Sequence, residues 1–416
     1  MASNIRVLSS SSLSYLRLTG NNLEVRNGCR TISLQSISSG DSDETIEVPD
    51  VLNSIQSLKF CGFSDEAAAQ ICGRWEQMSR TLAPGDLGYG QHVVELARQY
   101  VSQRKRVWNA FVESDDWDGA LRSLGVKNET RRAIMDPNFE NLRLSASASE
   151  WVLSTVNSCW DFLDGLDSQV RKSKEAQELR ASSPDASIKP SKAIKPGNPH
   201  SPLHSGSSRL QLAVESEPPQ TLPDKSIIYK GGDWARLTRI FNPDGSLDVS
   251  QILSRPPCDF HPSDLDLYFT KQEDIARQYA EYAQRRTTLQ AGVLTVAIPK
   301  AWLANATEVY GEDWKTLIWE SRNEKARAKN FGRLPKDVKW YEDCEILLGS
   351  ICYQSTDQIS RLESKNDLEV LRSKKGEKGT QVVLKGNLMG EEFVKEYKGF
   401  VWIGDLASPK KAKHFA

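Results

Sequence analysis

From residue 46 to residue 175, apolar side chains recur at spacings of three and four, the pattern of helices that each bury one face. Pro49 stands at the expected start of a first helix, with Leu52, Ile55 and Leu58 behind it. Ser64, Asp65 and Glu66 cap and charge a second start ahead of Ile71, Trp75 and Met78. Val93, Leu96, Ala97, Tyr100, Val101, Trp108 and Phe111 continue the period, and Trp151, Thr155, Cys159, Phe162, Leu166 and Val170 mark a last helix. The stripes read as core, and they predict an all-α helical module over 46–175.

After residue 225 the pattern alternates between strand and helix signals. Ser226 to Tyr229 predicts a strand ending in Gly231-Gly232, Asn242-Pro243-Asp244-Gly245 a turn, and Leu265 to Thr270 a second strand. Ile275, Ala276, Tyr279, Ala280 and Ala283 mark a helix, and Val293 to Ile298 a strand that Pro299 stops. A helix around Trp314, Leu317 and Ile318 leads to strands at Ile346 to Cys352, Gln381 to Leu384 and Phe400 to Ile403, with a helix near Phe393 between the last two. This spacing is too irregular for a doubly wound parallel sheet and predicts an α+β domain with split sheets over 225–405.

The two regions are separated by a stretch without aromatics. Between Phe162 and Tyr229 there is no Phe, Tyr or Trp, and Ala181 to Asp224 holds eight of the 18 prolines. Such a segment buries too little apolar surface to offset the entropy of ordering, so 176–224 reads as a linker. Residues 1–45 read as a Ser-rich disordered leader whose Arg- and Ser-rich composition also fits a mitochondrial transit peptide. Residues 406–416 form a basic tail, in which Ser408-Pro409-Lys410-Lys411-Ala412-Lys413 has the character of a weak nuclear address.

Charge and composition narrow the chemistry. The chain of 416 residues has a formal charge of -1, so no global field draws it to nucleic acid or to an anionic membrane. Its most hydrophobic stretch, Ile346 to Tyr353, is eight residues long, far short of the roughly 18 to 20 that cross a bilayer. Seven scattered cysteines with no C-x-x-C pair fit reduced thiols in a cytoplasmic or nuclear protein, and argue against a zinc site. Of five histidines only His92 and His261 fall in expected folded structure, which leaves few parts for a metal centre or a Ser-His-Asp triad. Gly85, Gly88 and Gly90 lack the G-x-G-x-x-G order of a phosphate loop. One local exception is Arg322 to Lys339, where seven cations face two carboxylates and Phe331 and Trp340 are interleaved, a composition suited to a phosphate or to a docking patch.

The order of motifs in the second region resembles the ADP-ribosyltransferase superfamily. The pieces are Ile228-Tyr229-Lys230-Gly231-Gly232, Leu267-Tyr268-Phe269-Thr270, Ala276 through Tyr279-Ala280, Val293 to Pro299, the Trp314 helix ending in Arg322, and Ile346 to Ile351. The resemblance covers less than half the chain. It implies a cleft that binds NAD, consumed as substrate, without a metal. Tyr229, Gly231 and Gly232 would border the carboxamide, Lys230 the ribose or phosphate, Tyr268 and Phe269 would wall the nicotinamide, and Thr270 would support a catalytic acid.

Two departures keep the activity open. Lys230 replaces the family's His or Arg, and a point charge reproduces neither a planar fork nor a stacking face. The closing Glu is missing: Gln358 falls where a carboxylate is expected, with Asp357, Glu345 and Glu320 as substitutes in reach. The chain therefore reads either as an NAD-dependent ADP-ribose transferase directed to a protein partner by the helical module, or as a non-catalytic interaction protein on a degenerate version of that fold.

Overall fold

The computed structural model describes residues 25–33, 45–81, 92–108, 116–181, 222–242, 247–254, 256–385 and 400–406. The glycines at 85–90, the Pro243–Gly245 part of the turn, the helix near Phe393, nearly all of the tail and most of the leader and linker lie outside these residues. The chain divides into two compact units, one of residues 1–99 with 159–208 and one of residues 100–158 with 209–416.

In the first unit, β1 (Cys29–Ser33) and β2 (Thr45–Pro49) pair antiparallel, from Cys29 opposite Pro49 to Ser33 opposite Thr45. Two expectations change here. Residues 29–33, placed in the leader, form a strand, and Pro49 ends a strand where a helix was expected to begin. That helix, α1 (Ile55–Phe60), starts instead at Ser54, whose hydroxyl accepts the Ser57 N–H at 3.2 Å. α2 (Asp65–Thr81) follows as predicted, and α3 (Val93–Trp108) opens at the end of the unit. Phe60 stacks on Phe162 with ring centroids 6.0 Å apart, and His92 packs on Trp160.

The second unit takes in part of what the sequence assigned to the helical module. α4 (Trp117–Ser123), α5 (Asn128–Ile134) and the start of α6 (Ala148–Ala181) group with the sheet, and α6 runs six residues into the expected linker. The physical reason lies in Tyr282, which is fully buried: Phe139 and Trp151 hold its ring at 5.1 and 4.9 Å, and its hydroxyl donates to the Ile134 carbonyl at 2.8 Å. Trp151, which looked like the core of a separate module, buries a helix of the α+β domain.

Seven strands form one mixed sheet: β3 (Lys225–Asp233), β4 (Leu267–Thr270), β5 (Ala291–Pro299), β6 (Thr307–Val309), β7 (Ile346–Ser350), β8 (Thr380–Leu384) and β9 (Val401–Asp405), in the order β6-β7-β8-β4-β3-β5-β9. β6 and β7 are parallel and the other neighbours antiparallel. β3 pairs with β5 along its whole length but with β4 only at Tyr229 opposite Thr270, so the sheet is nearly divided at that point. One face buries Ile228, Phe269, Leu294, Val296, Leu348 and Val382. On the other, α7 (Glu273–Thr287) covers β3 and β5 through Ala276, Ala280 and Ala283, while α8 (Gly311–Arg322) covers Leu347 and Val383 through Trp314, Leu317 and Ile318.

β3 runs through its glycines instead of ending at them. A Cβ on Gly231 would stand 1.7 Å from the Ala276 carbonyl oxygen, so only glycine lets α7 lie this close to the strand.

Candidate functional site

The row of paired residues Tyr229, Thr270, Gln381 and Gly349 crosses β3, β4, β8 and β7 and brings one position of each strand to the same place on the sheet. Here a cavity of about 250 Å³ opens, bordered by Tyr229, Lys230, Gly231, Tyr268, Phe269 and Thr270. Of the residues expected to hold a cofactor, only Gly232 is absent; it faces Leu237 instead. α7 contributes Ala276 and Tyr279, the end of α8 contributes Arg322, and the segment before α6 contributes Ser145.

The near-division of the sheet gives Lys230 its place. With no second rung between β3 and β4, the Tyr268 carbonyl takes a hydrogen bond from the Lys230 amine at 3.0 Å. The residue keeps some contact with the cavity, but its amine is closely surrounded by protein. Burial first, and then the positive charge of Arg236, pull it down to about 7, against an opposing effect of Cys258. Tyr268 anchors its own hydroxyl on the Phe260 N–H at 3.1 Å, and burial raises its phenol well above the ordinary value. Burial likewise pushes Tyr279 up to about 12, so the aromatic walls are neutral at physiological pH.

Asp259 was not singled out by the sequence. It is the one carboxylate among the described residues that line the cavity. One oxygen meets the Arg322 guanidinium at 2.6 Å; the other accepts the Cys352 N–H at 2.9 Å and the Gln381 amide at 2.8 Å. Arg322 also donates to Thr356 and to the Ser145 carbonyl. Both partners are almost wholly buried, and removing either one leaves an unpaired buried charge, at a typical cost of about 3–5 kcal/mol. The pair ties the end of α8 to the chain after β7 and to β8, and so fixes the floor of the cavity. Cys258 and Cys352 are pushed up to about 12, by burial and then by Asp259, and are protonated thiols.

The expected catalytic candidates stand elsewhere. Gln358 closes a capping box on the turn Thr356–Ile359, accepting the Ser355 N–H at 2.9 Å while its own N–H donates to the Ser355 hydroxyl. Asp357 lies in the same turn, Glu345 is exposed before β7, and Glu320 accepts from the Asn330 amide; none borders the cavity. The glutamine that does is Gln381, whose amide bridges Asp259 and the Ser350 carbonyl. Its signal in the sequence was a polar residue heading the apolar run Gln381 to Leu384, at a position that alternation turns to the same face as Thr270. Thr270 holds its hydroxyl 2.9 Å from the Thr380 carbonyl, next to Gln381.

Of the basic segment, Arg322 alone reaches the cavity, while Phe331 stands 92% exposed on the loop beyond it. His261 accepts the Ser263 and Asp264 N–H groups and shapes its own loop. Among the described residues no group of three or more His, Cys, Asp or Glu is placed to hold a metal ion, and no helix is long and apolar enough to cross a membrane. Comparison of the chain with family models, curated proteins and solved structures finds no match.

Proposed function

We propose that the second unit is a divergent ADP-ribosyltransferase-like domain that holds the nicotinamide end of NAD in this cavity without transferring ADP-ribose. The observation that carries the reading is the convergence of Tyr229 to Gly231 and Tyr268 to Thr270, two separate sequence motifs, on one cavity with Asp259 as its carboxylate. About 250 Å³ suits a single ring or sugar, below the range of about 300–1,000 Å³ for sites that bury a whole drug-sized ligand. Tyr229, Tyr268 and Tyr279 offer neutral aromatic faces to a flat cationic ring.

Transfer needs more than binding. Cleaving the nicotinamide bond develops positive charge on the ribose, which a carboxylate free to face it stabilises. Both oxygens of Asp259 are engaged by Arg322, Cys352 and Gln381, and Gln381 itself carries no charge. The reading is therefore of a binding domain, with the helices of the first unit as the element that docks a protein partner.

Calorimetric titration of the full chain with NAD, alongside a chromatographic assay for released nicotinamide, tests this. The expected result is saturable heat and no nicotinamide. No heat at millimolar NAD overturns the binding reading, and enzyme-dependent nicotinamide release overturns its non-catalytic part.

A further inference from the structure

Lys230 is a buried amine to which the proposed nicotinamide site assigns no role. It sits on the cavity wall, and its single hydrogen bond among the described residues goes to a neutral acceptor, the Tyr268 carbonyl. The charged and titratable groups around it are Arg236 on the short helix Trp234–Thr238 after β3, Cys258 in the loop before Asp259, Tyr268 on β4, and the Asp259–Arg322 pair. Asp259 is spent on Arg322, and among the described residues no ion pair joins a carboxylate to the amine.

We propose that Lys230 captures a small aromatic aldehyde in this cavity as a reversible imine. The amine lone pair attacks the carbonyl carbon to form a C–N bond, the C=O π pair passes to oxygen, and a proton moves from nitrogen to that oxygen. The resulting carbinolamine then expels water as nitrogen forms the C=N bond, so amine and aldehyde give imine and one water with no oxidant or reductant. Tyr229, Tyr268 and Tyr279 supply flat apolar walls for the ring, and the cavity is of a size for one. Desolvation of an amine beside another cation is the arrangement that activates a lysine for this chemistry. At neutral pH an amine near 7 is about half unprotonated, against about one part in 2,500 for an ordinary lysine near 10.4.

The test treats the full-length protein with benzaldehyde and sodium cyanoborohydride, which traps the imine as a stable benzylamine, and maps the adducts by peptide mass spectrometry. Lys230 should be benzylated at least about tenfold faster at neutral pH than the exposed Lys325 and Lys329, with a rate that levels off just above pH 7. In Lys230→Arg the fast phase should disappear while the slow surface labelling stays. Labelling of Lys230 no faster than of Lys325, a rate still climbing through about pH 9, or a fast phase that persists in the variant overturns the proposal. If the variant fails to fold, the rates and pH profile of the unmodified chain decide the matter alone. NAD takes no part in the assay, so its outcome is separate from that of the calorimetry.

Discussion

A lysine enclosed by protein with no carboxylate beside it opposes folding, and Lys230 gives that opposition a pH dependence. Burial and Arg236 depress its amine from 10.5 to about 7. Below about pH 7 both the folded and unfolded chains carry the proton, and the full penalty of enclosing an ammonium ion is present. Between about 7 and 10.5 only the unfolded chain holds it, so this contribution to stability improves as pH rises and the penalty is gone above that window. Lys230→Met removes the titration and, as a roughly constant offset, the bond to Tyr268. The melting-temperature difference between variant and parent should therefore favour the variant most at about pH 6 and shift toward the parent by about pH 10. A difference that stays level across that range would mean that the amine is solvated. At this scale the strands that carry the motif residues were legible, and alternation separates their faces, Tyr229 and Tyr268 toward the helices and Phe269 toward the opposite core. Asp259 was not, since Pro256-Pro257-Cys258-Asp259 has no period to read, and Gln358 misled because a capping glutamine and a site glutamine are the same residue until their partners are known.

The strand β3 and helix α7 work as a pair because one glycine is missing a side chain. The alternation of β3 turns Gly231 toward α7 and Gly232 toward Leu237, and the two positions have opposite tolerances. Alanine at 231 would place its Cβ 1.7 Å from the Ala276 carbonyl oxygen and 2.9 Å from the Ala280 nitrogen, both backbone atoms of a helix that cannot yield locally. At 232 the nearest atoms are Leu237 side-chain carbons at 3.8 Å, an ordinary contact. Gly231→Ala should lower stability by about 3 kcal/mol or more, the upper end for overpacking, through displacement of α7. Gly232→Ala should be neutral or stabilising by about 0.4–1 kcal/mol, because it restricts the unfolded chain. Urea unfolding of the two variants with an unchanged slope checks both, and equal losses would contradict this packing. The displacement also predicts that Gly231→Ala opens the cavity wall that Ala276 and Tyr279 form. The existence of both elements was legible in the sequence, from Ile275 to Ala283 and from Ser226 onward. The close approach was not, because a strand-ending glycine pair and a strand crossed by a helix look alike before the helix is placed.

At the scale of the whole molecule, the absence of aromatics between Phe162 and Tyr229 marks a gap in the chain, and the compact unit that carries the cavity spans that gap. A boundary read from composition tells where aromatic residues cease; it does not tell which flanking aromatics bury one another. Tyr282 on α7 is enclosed by Phe139 and Trp151 and bonded to Ile134, Arg285 pairs with Asp136 at 2.7 Å, and the Ser158 hydroxyl donates to Asp233 at 2.9 Å, all joining residues before the gap to residues after it. Ser145 carries the same connection to the lip of the cavity, where its carbonyl accepts from Arg322. The covalent link through 182–221 should therefore be dispensable once the protein has folded. With a specific protease site introduced between Pro199 and Ser201, the cut fragments should co-elute in size-exclusion chromatography. They should remain together in high salt, because apolar burial of Tyr282 outweighs the Arg285–Asp136 ion pair. Tyr282→Ala, which empties the space between Phe139 and Trp151 and deletes the bond to Ile134, should make the cut fragments separate where the parent's do not. Fragments of the parent that separate without denaturant would instead show that residues 116–158 and the sheet are independent, and would return the helices to a module of their own.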